Sequence, residues 1–266
     1  MASEQTIYLF SRLDEDMIHK KAYVEKQLKK EGFTLTDHHT EAAVIISIGS
    51  DGTFLQAARK TDFRPDCLYI GLSVKGEHGV YCDFKYDDIS SLVRTLKQPN
   101  IEERHYPLLE VTINQHKPFF CLNEFSIRST IIRTFVMDIS IDELLFETFL
   151  GDGMIISTPT GSTAYNKSVR GAVIDPLLPC FQVSELASVN NNRYRTLGTS
   201  FILSGSRKLT LDIQQEGNEF PSTAADNEAL AVKQVEKVEA VLSDRVIRTA
   251  KLSDNSFFEK VQRTFF

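Results

Sequence analysis

Residues 42–53 read AAVIISIGSDGT, and this stretch decides the fold of the first part of the chain. Ala42 to Ile48 is almost continuously apolar and β-branched, which is the pattern of a strand buried on both faces of a parallel sheet. Gly49 to Gly52 predict a turn, and the residues from Thr53 onward have helical character. A strand that runs through a glycine turn into a helix is the repeating step of an α/β layer.

The same alternation continues on both sides of this stretch. One predicted helix carries Met17, Val24 and Leu28 on a single narrow stripe, and Gly32 marks its end. The predicted strands are Ile7 to Phe10 and Cys67 to Leu72, and the predicted helices are Asp14 to Lys30 and Asp87 to Lys97. Because strands that alternate with helices are joined by right-handed crossovers, this region predicts a parallel sheet covered by helices.

The pattern changes near Pro99 and Asn100. From Tyr106 onward, short stretches such as LLEVTI, FVMDISI and KLTLDI alternate apolar and polar residues, and turn residues separate them. Such alternation is typical of an antiparallel sandwich or rolled sheet. A short helical piece is predicted around Glu185.

We therefore predict an α/β plus all-β chain. A Rossmann-like α/β domain that binds a nucleotide spans residues 1–100, and a β-sandwich-like domain spans residues 101–239. Residues 240–266 are predicted to pack back on the first domain, because four phenylalanines near the end of the chain need burial. These are Phe257, Phe258, Phe265 and Phe266.

The composition is that of a globular protein: of 266 residues, 42% are hydrophobic and 25% are charged. A formal net charge of −6 and a pI near 5.6 favour solubility and argue against a broad nucleic-acid-binding face. The first residues, MASEQTIYLF, lack the basic region and apolar core of a signal peptide, and no apolar run is long enough to span a membrane. The sequence predicts a cytoplasmic protein with no nucleic-acid or membrane partner.

Four cysteines, Cys67, Cys82, Cys121 and Cys180, are widely scattered and form no CxxC pair. Neither a disulfide framework nor a metal-ligand spacing is present, so we predict buried reduced thiols and no metal held by protein ligands alone.

The first motif with chemical content is Gly49-Ser50-Asp51-Gly52-Thr53. In open α/β sheets, ligands bind at the carboxyl ends of the strands, and glycines let backbone amides approach phosphate oxygens. Asp51 is repelled by phosphates unless it binds a proton or a metal, which indicates a catalytic task. The alternative is an Asp-Gly turn in which Asp51 or Thr53 caps the helix.

The second motif is the pair Asn123-Glu124 within an apolar, aromatic strand. If this amide and carboxylate are buried, they need hydrogen-bond partners, and the hydroxyls of a ribose would suit them. The alternative is an exposed strand end.

The third motif begins at Gly151-Asp152-Gly153 and continues as MIISTPTGSTAYNKS. A predicted strand, Met154 to Ser157, leads into six small residues, Thr158 to Thr163, and Ala164 and Tyr165 then begin a helical turn. Small hydroxyl residues and one aromatic ring can form a flat slot with hydrogen-bonding edges, which suits an adenine ring. The alternative is a Ser/Thr-rich loop with Tyr165 packed on the sheet.

In this order, the three motifs resemble those of the NAD kinase family, which has a GGDGT motif, an Asn-Glu pair and a TPTGSTAYN-type segment. The resemblance includes Tyr106 to Leu109 and Ser184 to Thr196 and covers about residues 42 to 230. It implies an α/β N-terminal domain, a β-rich NAD-binding C-terminal domain and a shared cleft. It also implies ATP as donor, a divalent cation such as Mg²⁺ held mainly through the nucleotide phosphates, and a homo-oligomer, either a dimer or a tetramer.

The resemblance further implies roles for individual residues. Asp51 would be the general base for the 2′-hydroxyl of the adenosine ribose, with Gly52 a neighbouring nucleotide contact. Asn123 and Glu124 would hold ribose hydroxyls and adjoining groups. The remaining residues implied to line the dinucleotide site are Asp152, Thr160, Thr163, Ala164, Tyr165, Asn166, Lys167, Ser168, Ala187 and Asp226.

The sequence departs from the family at three places. Ser50 stands where the family usually has glycine, so the phosphate loop must accommodate a Cβ. Residues 73–84 match the family's GxLGF loop only loosely, so only proximity to the site is expected of them. Leu150 replaces a frequent basic residue, so one cationic contact is absent or comes from elsewhere.

The predicted function is that of an NAD kinase, a phosphotransferase with an alcohol acceptor that makes NADP from NAD and ATP. Two alternatives stay open. Lipid kinases of the diacylglycerol or sphingosine type share a GGDGT-like loop, and a non-catalytic NAD or NADP sensor could have kept the fold and lost turnover.

Overall fold

The computed structural model describes residues 6–75, 79–130, 133–214, 220–252 and 256–266. The chain forms two compact units. Unit 1 comprises Met1–Tyr106 and Val246–Phe266, and unit 2 comprises Pro107–Arg245. The chain thus changes unit after Tyr106 and Arg245, where the sequence predicted changes after residues 100 and 239.

Seventeen strands and five helices are found in the described residues. The strands are β1 (Ile7–Ser11), β2 (Leu35–Thr36), β3 (Val44–Gly49), β4 (Leu68–Ser73), β5 (Phe84–Lys85), β6 (Glu103–Ile113), β7 (Phe119–Cys121), β8 (Glu124–Arg128), β9 (Phe135–Ile141), β10 (Leu144–Gly151), β11 (Gly153–Ser157), β12 (Cys180–Leu186), β13 (Phe201–Ser204), β14 (Lys208–Gln214), β15 (Ser222–Ala225), β16 (Glu228–Ala229) and β17 (Lys237–Ala250). The helices are α1 (Glu15–Lys30), α2 (Asp51–Lys60), α3 (Ile89–Leu96), α4 (Tyr165–Ser168) and α5 (Phe257–Phe265).

Unit 1 is built on a parallel sheet in the order β2-β1-β3-β4, with β5 and the end of β17 also paired to β4. The chain runs outward from β1 to β2 and then continues on the other side of β1, through β3 to β4. The direction of winding therefore reverses between β1 and β3. At such a switch point, the carboxyl ends of the strands leave a crevice where α/β proteins bind ligands.

The core of unit 1 is formed by the apolar faces of the sheet and its helices. The stripe predicted for α1 is confirmed, since Met17, Val24 and Leu28 are its buried residues. Asp14 is the N-cap of α1, and its side chain accepts a hydrogen bond from the backbone N–H of Met17 at 3.0 Å. All six residues of β3 are buried, as the continuous apolar run predicted.

Unit 2 is a sandwich of two mainly antiparallel sheets. One contains β10-β9-β14-β17, and the other has the order β13-β12-β11-β8-β15-β16. Side chains from both sheets, including Phe125, Phe149 and Leu211, bury each other in one apolar cluster. The predicted fold class, α/β followed by a β-sandwich-like domain, is confirmed.

Two local predictions are wrong. The segment around Glu185 is part of strand β12, because it pairs with β11 along its length, and sheet pairing overrides its weak helical pattern. Of the four terminal phenylalanines, only Phe257 is buried, whereas Phe258, Phe265 and Phe266 are exposed. The buried residues of helix α5 are Phe257 and Lys260, and the other three phenylalanines lie outside this buried side.

All four cysteines are buried and unbridged, as predicted. No helix among the described residues is both long enough and apolar enough to cross a membrane.

The loop after β3 yields a stability prediction. A Cβ on Gly49, whose φ is +156°, would lie 2.3 Å from Thr53 Oγ1, whereas a Cβ on Gly52 meets nothing closer than 3.7 Å. Gly49→Ala should lower the free energy of unfolding by about 1–3 kcal/mol, because it overpacks a rigid turn. Gly52→Ala is the matched control and should cost nothing. Urea denaturation measures both, and equal effects would show that the turn is not tightly packed.

Candidate active site

Asp51 is the first residue of α2 and directly follows the carboxyl end of β3. Its Oδ2 accepts a hydrogen bond from the backbone N–H of Val80 at 2.7 Å, and its Oδ1 accepts one from the N–H of Tyr81 at 3.0 Å. These donors come from a part of the chain that is distant in sequence. They fix both oxygens of a half-buried carboxylate in one orientation.

The alternative that Asp51 or Thr53 caps α2 is confirmed for Thr53, which takes part in a capping box, and not for Asp51. Ser50 occupies the N-cap position, and Thr53 Oγ1 accepts a hydrogen bond from the N–H of Ser50 at 3.3 Å, which closes a capping box. Asp51 is thus not needed to cap the helix. Ser50 has φ −130° and ψ 179°, an extended conformation that any residue adopts, so the departure from glycine causes no backbone strain.

Sequence reasoning missed the residues that hold Asp51. It expected residues 73–84 only to lie near the site, and it assigned no contact to Val80 or Tyr81. The glycine at position 79 was the one sequence signal that could have indicated this contact. In the structure, a Cβ on Gly79 would lie 2.2 Å from Asp51 Oδ1. A glycine is required where the backbone approaches a carboxylate so closely.

In unit 2, Asp226 organises the Asn-Glu motif. Asp226 and Asn227 both have positive φ and form the tight turn between β15 and β16. The Asp226 carboxylate accepts hydrogen bonds from three consecutive backbone N–H groups, those of Leu122 at 2.9 Å, Asn123 at 2.7 Å and Glu124 at 3.2 Å. Asp226, which the resemblance implied to line the site, therefore lies directly against the motif.

Glu124 is the first residue of β8 and is 5% exposed, so the alternative of an exposed strand end is wrong. Burial, reinforced by the negative charge of Asp226, raises the pKa of Glu124 to about 8, although a hydrogen bond from the backbone N–H of Tyr165 opposes this. Its Oε2 has no hydrogen-bond partner among the described residues. A buried carboxyl of this kind is neutral near pH 7 and can donate a hydrogen bond as well as accept one.

The Thr158–Thr163 segment is attached to the same motif. Thr158 Oγ1 donates to the carbonyl of Leu122 at 2.6 Å, and the N–H of Thr158 donates to the carbonyl of Asn123 at 2.9 Å. A Cβ on Gly161 would lie 2.0 Å from the carbonyl oxygen of Asn123, so only glycine fits there. The second and third motifs therefore form one hydrogen-bonded cluster.

Tyr165 begins α4 and is half-buried, and the guanidinium carbon of Arg128 lies 5.9 Å from the centre of its ring. This distance suits a cation–π contact. Sequence reasoning had not selected Arg128.

The other predicted site residues differ in their exposure. Thr160, Thr163 and Asn166 are buried, and Asn166 Oδ1 accepts a hydrogen bond from Ser184 Oγ at 2.6 Å. Ala164 is half-buried. The exposed residues are Gly52, Asp152, Lys167, Ser168 and Ala187.

Asp152 and Ala187 are neighbours in unit 2. The N–H of Asp152 donates to the carbonyl of Leu186 at 2.9 Å, and a Cβ on Gly151 would lie 3.0 Å from the carbonyl oxygen of Ala187.

Comparison with known proteins agrees with these motifs. Residues 122–252 match the family of the ATP-NAD kinase C-terminal domain. The chain is 58% identical to NAD kinase 2 of Bacillus subtilis (strain 168) over 261 residues, which cover 98% of each protein. It is 55% identical to NAD kinase 2 of Geobacillus kaustophilus (strain HTA426) over 97% of each. The chain belongs to the NAD kinase family.

Two solved structures share the fold. The yeast NADH kinase complexed with NADH has a TM-score of 0.82 at 14% identity, with 97% of this chain and 86% of that chain covered. An NAD kinase from Archaeoglobus fulgidus in complex with ATP has a TM-score of 0.78 at 19% identity, with 97% and 99% covered. At such low identity these likenesses show the fold alone.

The buried Glu124 yields a pH prediction. An acid whose pKa is raised on folding stabilises the protein below its unfolded pKa, and this stability is lost as the pH rises through the folded pKa. The window for Glu124 runs from about 4.5 to about 8. Glu124→Gln removes the titration, so at pH 8 it should melt higher than the wild type by about 2–6 °C, with a smaller gain at pH 5.

The control is Glu239→Gln, because the neighbouring Lys208 lowers the pKa of Glu239. This variant should not gain stability at pH 8. Calorimetry gives the melting temperatures of both variants at pH 5 and pH 8. An equal change in melting temperature for Glu124→Gln at the two pH values would contradict a raised pKa of Glu124.

Proposed function

We propose that this chain transfers the γ-phosphoryl group of ATP to the 2′-hydroxyl of the adenosine ribose of NAD, with Asp51 as the general base. The observation that carries this proposal is the fixed orientation of a half-buried carboxylate at the carboxyl end of β3, beside the switch point of the sheet. Relatives named NAD kinase 2, similar to this chain over nearly all its length, support the choice of acceptor. The family description, ATP-NAD kinase, supports the choice of donor.

The role of Asp51 follows from its hydrogen bonds. Each of its oxygens accepts one backbone N–H, and a carboxylate oxygen has a second lone pair that can accept the proton of an attacking hydroxyl. Because phosphoryl transfer is catalysed mainly by positioning and charge stabilisation, a base with a fixed orientation meets the main requirement.

The start of α2 supports phosphate binding in unit 1. A helix N-terminus offers backbone N–H groups and a favourable dipole to anions. Gly52 is exposed, so its backbone is accessible to a nucleotide.

The dinucleotide-binding residues proposed in unit 2 are those implied by the family resemblance. The cluster of Asn123, Glu124 and Asp226 presents amide and carboxyl groups for ribose hydroxyls, and a neutral Glu124 adds no negative charge that would repel phosphates. Tyr165 offers an aromatic face, and Arg128 beside it offers a positive charge. The other proposed lining residues are Asp152, Thr160, Thr163, Ala164, Asn166, Lys167, Ser168 and Ala187.

We also propose a divalent cation, most simply Mg²⁺. No group of three or more His, Cys, Asp or Glu side chains among the described residues is arranged to hold a metal ion. Such an ion would take its ligands mainly from the nucleotide phosphates and water, as Mg²⁺ commonly does. When bound, such an ion would offset phosphate charge.

The chain is further proposed to form a dimer or tetramer in the cytoplasm. A group of exposed apolar side chains in unit 2 supports the proposed oligomer. Leu144, Leu145 and Phe146 lie at the start of β10, and the centre of the Phe146 ring is 5.4 Å from that of Phe201. Exposed apolar patches commonly mark interfaces between proteins.

Light scattering tests the oligomer. The wild type should have two or four times the chain mass of 30.1 kDa at micromolar concentration. Leu144→Lys should shift the mass towards that of one chain, whereas Leu13→Lys, at an even more exposed position in unit 1, should not. A wild type that scatters as a single chain would contradict the proposal.

Replacing the proposed base tests the mechanism. Asp51→Asn keeps the size of the side chain and removes its ability to accept a proton. Turnover should fall by at least ~10²-fold, the low end for general-base catalysis. Because the benefit of the base is realised in the transition state, NAD affinity should stay equal or increase. The measurements are the rate of NADP formation and calorimetric titration with NAD.

Asp66→Asn is the control, since Asp66 is an exposed carboxylate of unit 1 that pairs with Arg64, and this variant should have normal turnover. Normal turnover in Asp51→Asn would refute the base assignment. A wild type that binds NAD but makes no NADP would be a sensor, and one that phosphorylates diacylglycerol or sphingosine instead would be a lipid kinase.

A further inference from the structure

The peptide group between Val80 and Tyr81 makes hydrogen bonds through both its N–H and its carbonyl. Its N–H, that of Tyr81, donates to Asp51 Oδ1 at 3.0 Å, and its carbonyl, that of Val80, accepts a hydrogen bond from Lys260 Nζ at 2.6 Å. No peptide bond in the described residues is cis, and the N–H and C=O of a trans peptide point in opposite directions. Lys260 and Asp51 therefore hold this peptide plane from opposite sides.

Lys260 is fully buried, which is rare for lysine. It projects from α5, whose start is fixed by a capping box between Ser256 and Glu259. Burial lowers the pKa of Lys260, and the negative charges of Asp83 and Asp51 oppose this shift. A buried ammonium needs such partners, and Lys260 finds one in the carboxylate of Asp83, which it contacts directly.

The residues around Asp83 make this arrangement rigid. Asp83 is 2% exposed, and its Oδ2 also accepts hydrogen bonds from Arg104 Nη1 at 2.7 Å and from the N–H of Leu252 at 3.3 Å. The ring of Tyr81 stacks on that of Phe54 in α2, with centroids 5.0 Å apart. The segment that donates to Asp51 is thus fixed by charge on one side and by ring packing on the other.

We propose that Lys260 is a positioning residue for the phosphoryl-transfer reaction, because it fixes the Val80–Tyr81 peptide that orients the Asp51 carboxylate. This inference rests on the proposed role of Asp51 as general base. The hydrogen bond from the Lys260 ammonium to the Val80 carbonyl restricts rotation of the peptide plane. It also polarises the Tyr81 N–H that donates to Asp51. The last helix of the chain thereby acts on the loop after β3 through a single peptide group.

The competing explanation is that Lys260 only neutralises the buried Asp83. The two explanations differ in what should follow when the charge is removed but Asp51 is left intact. If Lys260 positions the peptide, removing its charge should lower turnover only when Asp51 is intact. If Lys260 only neutralises Asp83, removing its charge should lower stability alone.

A double-mutant cycle tests the positioning role. Lys260→Met keeps the length of the side chain and removes its charge and its donor. In the wild-type background, it should lower kcat for NADP formation by about 10- to 100-fold, the size of effect expected when a catalytic group is misplaced, with KM for NAD and ATP nearly unchanged. Added to Asp51→Asn, it should cause little further loss, because residues that act through one group are not additive.

The control is Lys97→Met, which removes a surface lysine of unit 1 that pairs with Glu31, and kcat should not change. All rates are taken well below the melting temperature of each variant. Equal losses from Lys260→Met in both backgrounds, or no loss in either, would overturn the proposal. If Asp51→Asn itself keeps full turnover, the base assignment fails and the catalytic part of this inference fails with it.

Two measurements separate positioning from charge balance. Hydrogen exchange at the Tyr81 amide should become faster in Lys260→Met and stay unchanged in Lys97→Met, and this result does not depend on activity. The double variant Asp83→Asn with Lys260→Met removes the ion pair between these two residues but keeps Arg104, and it should not recover kcat. Recovery of the full kcat in that double variant would show that Lys260 serves only as a counter-ion.

Discussion

Asp51 in unit 1 and Asp226 in unit 2 use their carboxylates in the same way, to accept backbone N–H groups from segments that are distant along the chain. A buried N–H without an acceptor is costly, and hydrogen bonds to a charged acceptor are stronger than those between neutral groups. Each aspartate thus fixes a segment that lies outside the strands, and Asp226 also binds the first residue of β8. The positions of Val80, Tyr81, Leu122 and Asn123 depend on this interaction.

The buried ionisable groups of the two units are balanced differently. In unit 1, Asp83 lies against two cations, Lys260 and Arg104, so that the buried charges are paired. In unit 2, Glu124 lies near Asp226, no cation of the described residues contacts it, and its pKa rises to about 8. Paired charges keep a loop in place, whereas an unpaired acid stays neutral and keeps its hydrogen-bonding capacity for a ligand.

The departures from the family pattern are accommodated locally. Ser50 is in an extended conformation and takes the N-cap position of α2, so the added side chain has a structural use. Leu150 contributes no cation, but Arg128 lies beside Tyr165 in the same unit. The chain therefore retains a hydrogen-bonding loop in unit 1 and a positive charge near the aromatic residue in unit 2.

The sequence by itself determined the α/β and β-sandwich classes, the stripe of α1, the buried strand β3 and the three motifs, because hydrophobic periodicity and glycine turns are local signals. It could not predict that Val80 and Tyr81 hold Asp51, that Asp226 caps the Asn-Glu motif, or that Lys260 is buried. Each of these contacts joins residues far apart in the chain. The sequence around Lys260 does not distinguish it from a surface lysine on a helix. Only the tertiary structure decided them, since burial and the need to pair every buried polar group arise when the elements pack.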